Sequence, residues 1–395
     1  MFCKRFSLVI LFSLVVMSCE DGSKKDINTL EENFVWQQHP SFFRLDKILL
    51  NSHVCGDSLY IVGVNRVSIV DTTDENPVIN GSLGRDPNIT QMPAMGGRLI
   101  AFPMDSKYQT VVYSPAFMSC YGSGGMYPFG KSLQLSSLTS EYTDGARVVD
   151  GYYRQNFGAI NEYNQLLIML DDSASTCYNC NTSFALVNLN PEIDNGYSDV
   201  PCLNVTPSVR RIPYQSGMSV YLNSAIAYKE KFLISAPRNQ YEIGIIDTAG
   251  NFSVSTDIQG TVSTFFVKGD TVFAFTIYNG DLYRSTNGSD WSFWLGNLPE
   301  YDLRFFVIQN KVCFYIYSQL FWLDAANLQI VELDNEGLQS NEINSVNVFH
   351  NKVWITTLSG LFTKPLDRFF DVKPVTASKP TYRHITISDN KLKKY

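Results

Sequence analysis

The sequence predicts an all-β fold, a β-propeller with seven blades. Three observations carry this prediction. Short turn signals recur along the chain, each followed by an apolar or alternating run and then by a second strand. Adjacent units start about 40 residues apart, the period of several strands per repeat. Helical periodicity is nearly absent, and the runs are rich in Val, Ile, Phe, Tyr and Trp, bounded by Gly, Asn and Asp.

In chain order, the first unit opens at Gly56-Asp57 (GDSLYIVGVNRVSIVD) and the second at Gly96-Gly97 (GGRLIAFPMDSKYQTVVYS). The third opens at Tyr163-Asn164 (YNQLLIMLDD, then SFALVNLN) and the fourth at Glu230-Lys231 (EKFLISAPRNQYEIGIID). Gly269-Asp270 (GDTVFAFTIYNGDLYRS), Asn310-Lys311 (NKVCFYIYSQLFWLD) and Asn351-Lys352 (NKVWITTLSGLFTK) open the rest. Each unit is a small sheet with two apolar faces. It cannot bury both alone, so units stack on their neighbours around an axis. Closure leaves only short, protected edges. The tail ITISDNKLKKY repeats the opening of a unit and stops. It is expected to pair with N-terminal material around Phe34 to Leu45; a hybrid blade of the two makes the count eight. A pair of β-sandwiches is the competing fold.

The chain has 395 residues, 17% charged, 45% hydrophobic and 13% aromatic, with a formal net charge of −7. This is the composition of a folded chain with a large core. Its acidity argues against nucleic acid as a partner.

Lys4 and Arg5 precede the apolar run Phe6–Met17, which is shorter than the ~20 residues a spanning helix needs. The pattern is that of a secretory signal. Val16-Met17-Ser18-Cys19 resembles a bacterial lipobox. The resemblance implies cleavage after Ser18, lipid attachment to Cys19 and a membrane held through that lipid. Residues 1–18 are then the signal peptide, 19–33 a polar tether and 34–395 a single propeller domain. Acidic residues after Cys19 are similar to export signals of Bacteroidetes surface lipoproteins, which favours the outer membrane.

Outside the cytoplasm disulfides are the expected state. Cys55, Cys120, Cys177, Cys180 and Cys202 are the candidates, with connectivity open. Cys177-Tyr-Asn-Cys180 has neither a second CxxC nor a nearby His, so a loop disulfide is preferred to zinc or redox chemistry. Cys313, inside Val312-Cys313-Phe314, is expected to be a buried free thiol.

Three segments resemble known propeller repeats. Leu59-Tyr60-Ile61-Val62 with Val67-Ser68-Ile69-Val70-Asp71 and Asp74-Glu75-Asn76-Pro77 resembles the LVIVD repeat. Ser285-Thr286-Asn287-Gly288-Ser289-Asp290-Trp291 is similar to the Asp-box hairpin of BNR-type propellers, departing from it at Asn287. Val353-Trp354-Ile355-Thr356-Thr357 with Gly360-Leu361-Phe362 is similar to sensor-associated repeats. These resemblances imply the fold and leave the activity open, because propellers host many activities. Asp followed by Ser or Thr at Asp57, Asp71, Asp172, Asp247 and Asp270 resembles an O-glycosylation acceptor motif of Bacteroidetes; turn chemistry is the simpler reading.

Catalytic signatures are missing. The four His are His39, His53, His350 and His384, without metal-ligand spacing. No nucleophile elbow, phosphate loop or dinucleotide fingerprint appears, and no cofactor or metal is expected. Two long spacings place insertions at residues 115–162 and 171–183, expected together on one face of the ring. Tyr121, Tyr127, Phe129, Tyr142, Tyr152 and Tyr153 make the first suited to stacking on a glycan or docking a protein. The expected function is a non-catalytic binding or scaffold module of the cell envelope, its partner a protein or a polysaccharide. One alternative is a glycan-active hydrolase or lyase, drawing on residues such as Asp144, Arg147, Asp171 and Asp172. The other is a structural subunit of an envelope complex.

Overall fold

The computed structural model describes residues 35–39, 49–55, 58–63, 66–71, 78–82, 100–103, 109–114, 117–122, 129–133, 147–148, 158–163, 165–171, 182–188, 191–192, 202–203, 209–214, 224–235, 242–299, 303–338 and 341–372. All but Val35 belong to the unit Trp36–Tyr395. The described elements are strands, apart from one 3₁₀ turn at Leu366–Arg368.

The strands form successive antiparallel meanders. After β1 (Gln37–Gln38), sheet 1 contains β2 (Leu49–Cys55), β3 (Ser58–Gly63), β4 (Arg66–Asp71) and β5 (Val78–Ser82). Sheet 2 contains β6 (Ile100–Pro103), β7 (Gln109–Ser114), β8 (Phe117–Gly122) and β9 (Phe129–Leu133). In sheet 3, β10 (Arg147–Val148) and β11 (Gly158–Ile160) both pair with β12 (Gln165–Asp171), followed by β13 (Thr182–Asn188). A separate two-stranded ribbon, β14 (Pro191–Glu192) and β15 (Cys202–Leu203), interrupts sheet 3 before β16 (Val209–Tyr214) completes it. Sheet 4 contains β17 (Ala225–Tyr228), β18 (Lys231–Ser235), β19 (Ile243–Asp247) and β20 (Phe252–Ser255). Sheet 5 contains β21 (Val262–Lys268), β22 (Thr271–Thr276), β23 (Asp281–Ser285) and β24 (Ser292–Leu295). Sheet 6 contains β25 (Arg304–Ile308), β26 (Lys311–Ile316), β27 (Gln319–Asp324) and β28 (Gln329–Glu332). Sheet 7 contains β29 (Ile343–Phe349), β30 (Lys352–Thr357) and β31 (Gly360–Pro365), and β1 is its fourth strand.

Burial follows position within each sheet. Second strands are buried on both faces, as in β18 (KFLIS), β22 (TVFAFT), β26 (KVCFYI) and β30 (KVWITT). Continuous apolar runs suit strands sandwiched between neighbouring sheets. Fourth strands such as β20 and β28 are largely open to water. In sheets 4 to 7 the first-to-second-strand turns are two residues long, and this geometry needs positive φ. Lys229 (52°), Gly269 (56°), Gln309 and Asn310 (48° and 61°) and His350 and Asn351 (49° and 55°) supply it. Six of the seven repeat units read from sequence therefore begin one strand late, between the first and second strands; the second, at Gly96-Gly97, begins ahead of its first strand.

Neighbouring sheets share cores. Between sheets 5 and 6, Phe266 stacks on Phe273 and on Phe305, each at 4.8 Å between ring centres, and Phe314 stacks on Phe321. A fully buried Phe contributes about 2–3 kcal/mol. First strands lie against one another along the chain, β2 on β6, β6 on β11, β11 on β17, β17 on β21 and β21 on β25. Sheets 6 and 7 share Cys313, Tyr315, Leu320, Val353 and Ile355.

The first described strand closes the last sheet, which in turn lies against sheet 1. Gln37 and Gln38 pair with Thr363 and Phe362. Trp36 is 3% exposed; its N–H donates to Glu336 O at 2.9 Å and its indole to Asp334 O at 3.2 Å. Gly337 (φ 92°) makes room for this, since a Cβ there would stand 2.2 Å from Trp36 O. Lys364, with its side chain buried, lies 3.6 Å from the Asp334 carboxylate; burial pushes its ammonium pKa down. Across the seam to sheet 1, Ser52 and Ser345 hydroxyls meet at 2.7 Å, and Asn347 Nδ2 donates to Ser52 O at 2.8 Å. N-terminal material thus joins the last sheet. Its partner is β31, while the tail ITISDNKLKKY lies outside the described residues.

Candidate functional site

In a four-strand meander, the second turn and the crossing to the next sheet lie at one end of the strands. The first and third turns lie at the other. At the first of these ends, sheets 5, 6 and 7 present the turns 277–280, 317–318 and 358–359 in succession. Each puts a large apolar side chain into water: Tyr278 is 68% exposed, Tyr317 44% and Leu358 41%.

The backbones beneath these side chains are held. Asn279 Nδ2 donates to Gln259 O at 3.1 Å, and Leu298 N to Gly280 O at 2.9 Å. Ile343 N donates to Tyr317 O at 2.8 Å, and Leu358 N to Glu342 O at 3.3 Å. The adjacent residues Glu342 and Ile343 thereby tie the turns of sheets 6 and 7 together. Gly280 (φ 66°) is required, because a Cβ would stand 2.1 Å from Leu298 O. Tyr317 has φ 52°, a left-handed conformation that a bulky side chain adopts only at a cost of ~1–3 kcal/mol. An aromatic ring kept at that position, exposed, contributes little to the core.

The opposite end is knit together internally. In the hairpin 285–291, Asn287 Oδ1 accepts from the amides of Ser289 and Asp290, both at 2.9 Å. This is the work of the Asp that the motif usually has, and Asn287 Nδ2 adds a bond to Asp290 Oδ2 at 2.7 Å. Trp291, 7% exposed, packs into the core shared by sheets 4 and 5. Lys229 and Lys231 from sheet 4 donate to Thr286 O and Asn287 O at 2.7 and 3.0 Å. Tyr163 donates to Glu230 at 3.1 Å, a bond that raises the phenol pKa. Asp247 caps its own turn, accepting from Asn251 N at 2.7 Å. Hydrogen bonds from Asn327 likewise lower the Asp324 pKa. These contacts fix the hairpins.

Of the residues singled out by sequence, Tyr121 and Phe129 lie in β8 and β9 of sheet 2, not in a loop. The segment 115–162 supplies four strands, β8, β9, β10 and β11. Its apolar residues read as loop aromatics because Gly and Ser surround them. Tyr127, Tyr142, Tyr152, Tyr153, Asp144, Asp172, Cys19, Cys177 and Cys180 lie outside the described residues. The segment 171–183 falls at the second turn of sheet 3, between β12 and β13, at the same end as Tyr278, Tyr317 and Leu358. Arg147 and Asp171 are register partners on β10 and β12. Cys55, Cys120 and Cys202 lie in β2, β8 and β15. Cys313 is a buried free thiol, its pKa pushed up to about 12 by burial. No group of three or more His, Cys, Asp or Glu suited to a metal exists among the described residues. Tyr278, Tyr317 and Leu358 were missed by sequence reading, although each is an apolar residue where a two-to-four-residue turn ordinarily takes a polar one.

No protein-family model and no curated protein matches the chain. Solved structures do. Virginiamycin B lyase from Staphylococcus aureus aligns with a TM-score of 0.56 and 10% identity, over 83% of this chain and 98% of that one. The β-propeller domain of Cps50 (Swd1) from Myceliophteria thermophila aligns with a TM-score of 0.52 and 11% identity, over 83% and 98%. The extracellular domain of the one-component system BT4673 from B. thetaiotaomicron aligns at 0.51 and 10% identity, over 84% of this chain and 40% of that one. At such identities the likeness establishes a β-propeller and carries no activity with it.

Proposed function

We propose that the chain is a seven-bladed propeller that binds rather than catalyses. Sheets 1 to 7 are its blades, and β1 completes the seventh. It is anchored in the cell envelope, outer membrane favoured, by a lipid on Cys19, with residues 1–18 removed and 19–33 as tether. Its repeats are of the LVIVD and Asp-box type. The proposed binding surface is the end that carries the second turns, with the row Tyr278, Tyr317 and Leu358 on it, and the segments 115–162 and 171–183 are proposed to contribute to it. One observation carries this reading: three successive turns expose large apolar side chains on a pinned backbone, one of them in a strained conformation. Rigid aromatic groups of this kind suit contact with a polysaccharide or a protein.

The second reading is a lyase or hydrolase, favoured by the Arg147–Asp171 register next to the second turn of sheet 3. Turnover separates the two. Residues 34–395 are immobilised and held in solubilised native envelope. A binding module retains protein or polysaccharide that elutes with unchanged mass. Shortened polymer or new unsaturated ends in the unbound fraction would assign the chain to the enzymes.

A further inference from the structure

We propose that Cys120 and Cys202 form a disulfide that staples the β14–β15 ribbon onto the outer half of sheet 2. The proposal rests on the envelope reading, which supplies an oxidising compartment. Its ground is a juxtaposition that sequence order conceals. The ribbon β14–β15 stands between β13 and β16 in the chain, yet its strand β15 lies against the neighbouring sheet. There β15, which holds Cys202, lies beside β8, which holds Cys120, and beside β9. Cys120 sits mid-strand in β8, paired with Val111 on one side and Phe129 on the other. Cys202 is paired with Glu192 across the ribbon.

The ribbon needs such a link. Each of its strands is two residues long, and it belongs to none of the larger sheets. A two-stranded hairpin of this size is not stable by itself in water. The sequence between its strands, IDNGYSDVP, offers few apolar side chains to hold it. The other cysteines leave this pair the best placed. Cys313 is buried between sheets 6 and 7, and Cys55 lies in the first strand of sheet 1. Cys177 and Cys180 are three positions apart and can close on each other.

The oxidation is an exchange with a disulfide-bonded oxidant. One thiolate attacks the oxidant's disulfide, forming a mixed disulfide and releasing one oxidant thiolate. The second cysteine thiolate then displaces the other oxidant sulfur. Two cysteine thiols lose two electrons and two protons, and one oxidant disulfide becomes two thiols.

Peptide mapping of the full-length chain tests the pair. The chain is purified reduced, held in a glutathione and glutathione-disulfide buffer, and its remaining thiols are blocked at acid pH. Trypsin leaves Cys177, Cys180 and Cys202 in one fragment, so Asp-specific cleavage at Asp194 and Asp199 is added. The expected result is a fragment holding Cys120 joined to one holding Cys202, as the dominant link. It is lost in Cys120→Ser and in Cys202→Ser and kept in Cys55→Ser. Either cysteine recovered as a blocked thiol from the wild-type chain, or joined to Cys55, Cys177 or Cys180, overturns the proposal. Glutathione disulfide replaces the compartment in this experiment, so the pairing is judged whether or not the chain is exported. The envelope reading is judged separately, by the mass of the Cys19 fragment from the native cell.

Discussion

Residues of two kinds separate fold from function here. Cys313 belongs to the fold: it is fully buried, and its pKa of about 12 leaves roughly one thiolate in 10⁴ at pH 8. Maleimide at pH 8 should therefore leave Cys313 unlabelled in the folded chain and label it in urea, as read by mass spectrometry; labelling at equal rates in both would place it at the surface. Tyr317 is the converse case. Glycine has no steric cost at φ 52°, so Tyr317→Gly should hold stability or raise it by about 0.5–1 kcal/mol in urea denaturation. A loss above about 1 kcal/mol would mean that the ring supports the fold. The buried thiol was legible in Val312-Cys313-Phe314. The exposed turn aromatics were not. In Phe275-Thr276-Ile277-Tyr278 and Phe314-Tyr315-Ile316-Tyr317 the ring continues an apolar run, and composition does not mark where the strand stops.

At the scale of the elements, pattern decides what sequence reveals. Second strands such as TVFAFT and KVCFYI are apolar on both faces because sheets cover both, and such runs stand out from turns. The closing strand is the opposite. Gln37–Gln38 is two polar residues, and it joins β31 by backbone pairing, which leaves no trace in composition. Its anchor is Trp36, whose backbone passes against Gly337 and whose indole meets Phe369 edge-on at 6.2 Å. Trp36→Ala should cost about 3–5 kcal/mol, seen as a lower urea midpoint with the slope retained. Gly337→Ala should destabilise in the same direction, because its Cβ displaces the Trp36 carbonyl. If both variants unfold at the wild-type midpoint, β1 is not the closing strand. The first insertion, at 115–162, includes the strands β8 and β9 for a related reason. β8 (FMSCYG) and β9 (FGKSL) carry Gly and Ser at strand positions, which lowers strand propensity without preventing pairing in a sheet.

For the whole molecule, the repeat predicts the scaffold, and the scaffold selects the face. Second turns and sheet-to-sheet crossings share one end of every meander, so the face was legible from topology before any side chain was placed. The residues on it were not, since each one continues an apolar strand run in the sequence. On the proposed function, this end binds a partner of the envelope through Tyr278, Tyr317 and Leu358. Capture from solubilised native envelope tests it most directly, with residues 34–395 as one bait and the Tyr278→Ser, Tyr317→Ser, Leu358→Ser variant as the other. Starting at 34 keeps Trp36 and the closing strand in both. The account predicts equal thermal unfolding of the two baits and at least a tenfold loss of retained partner with the variant. Equal retention by both would contradict it and move the interface to the sheet edges or to the opposite end.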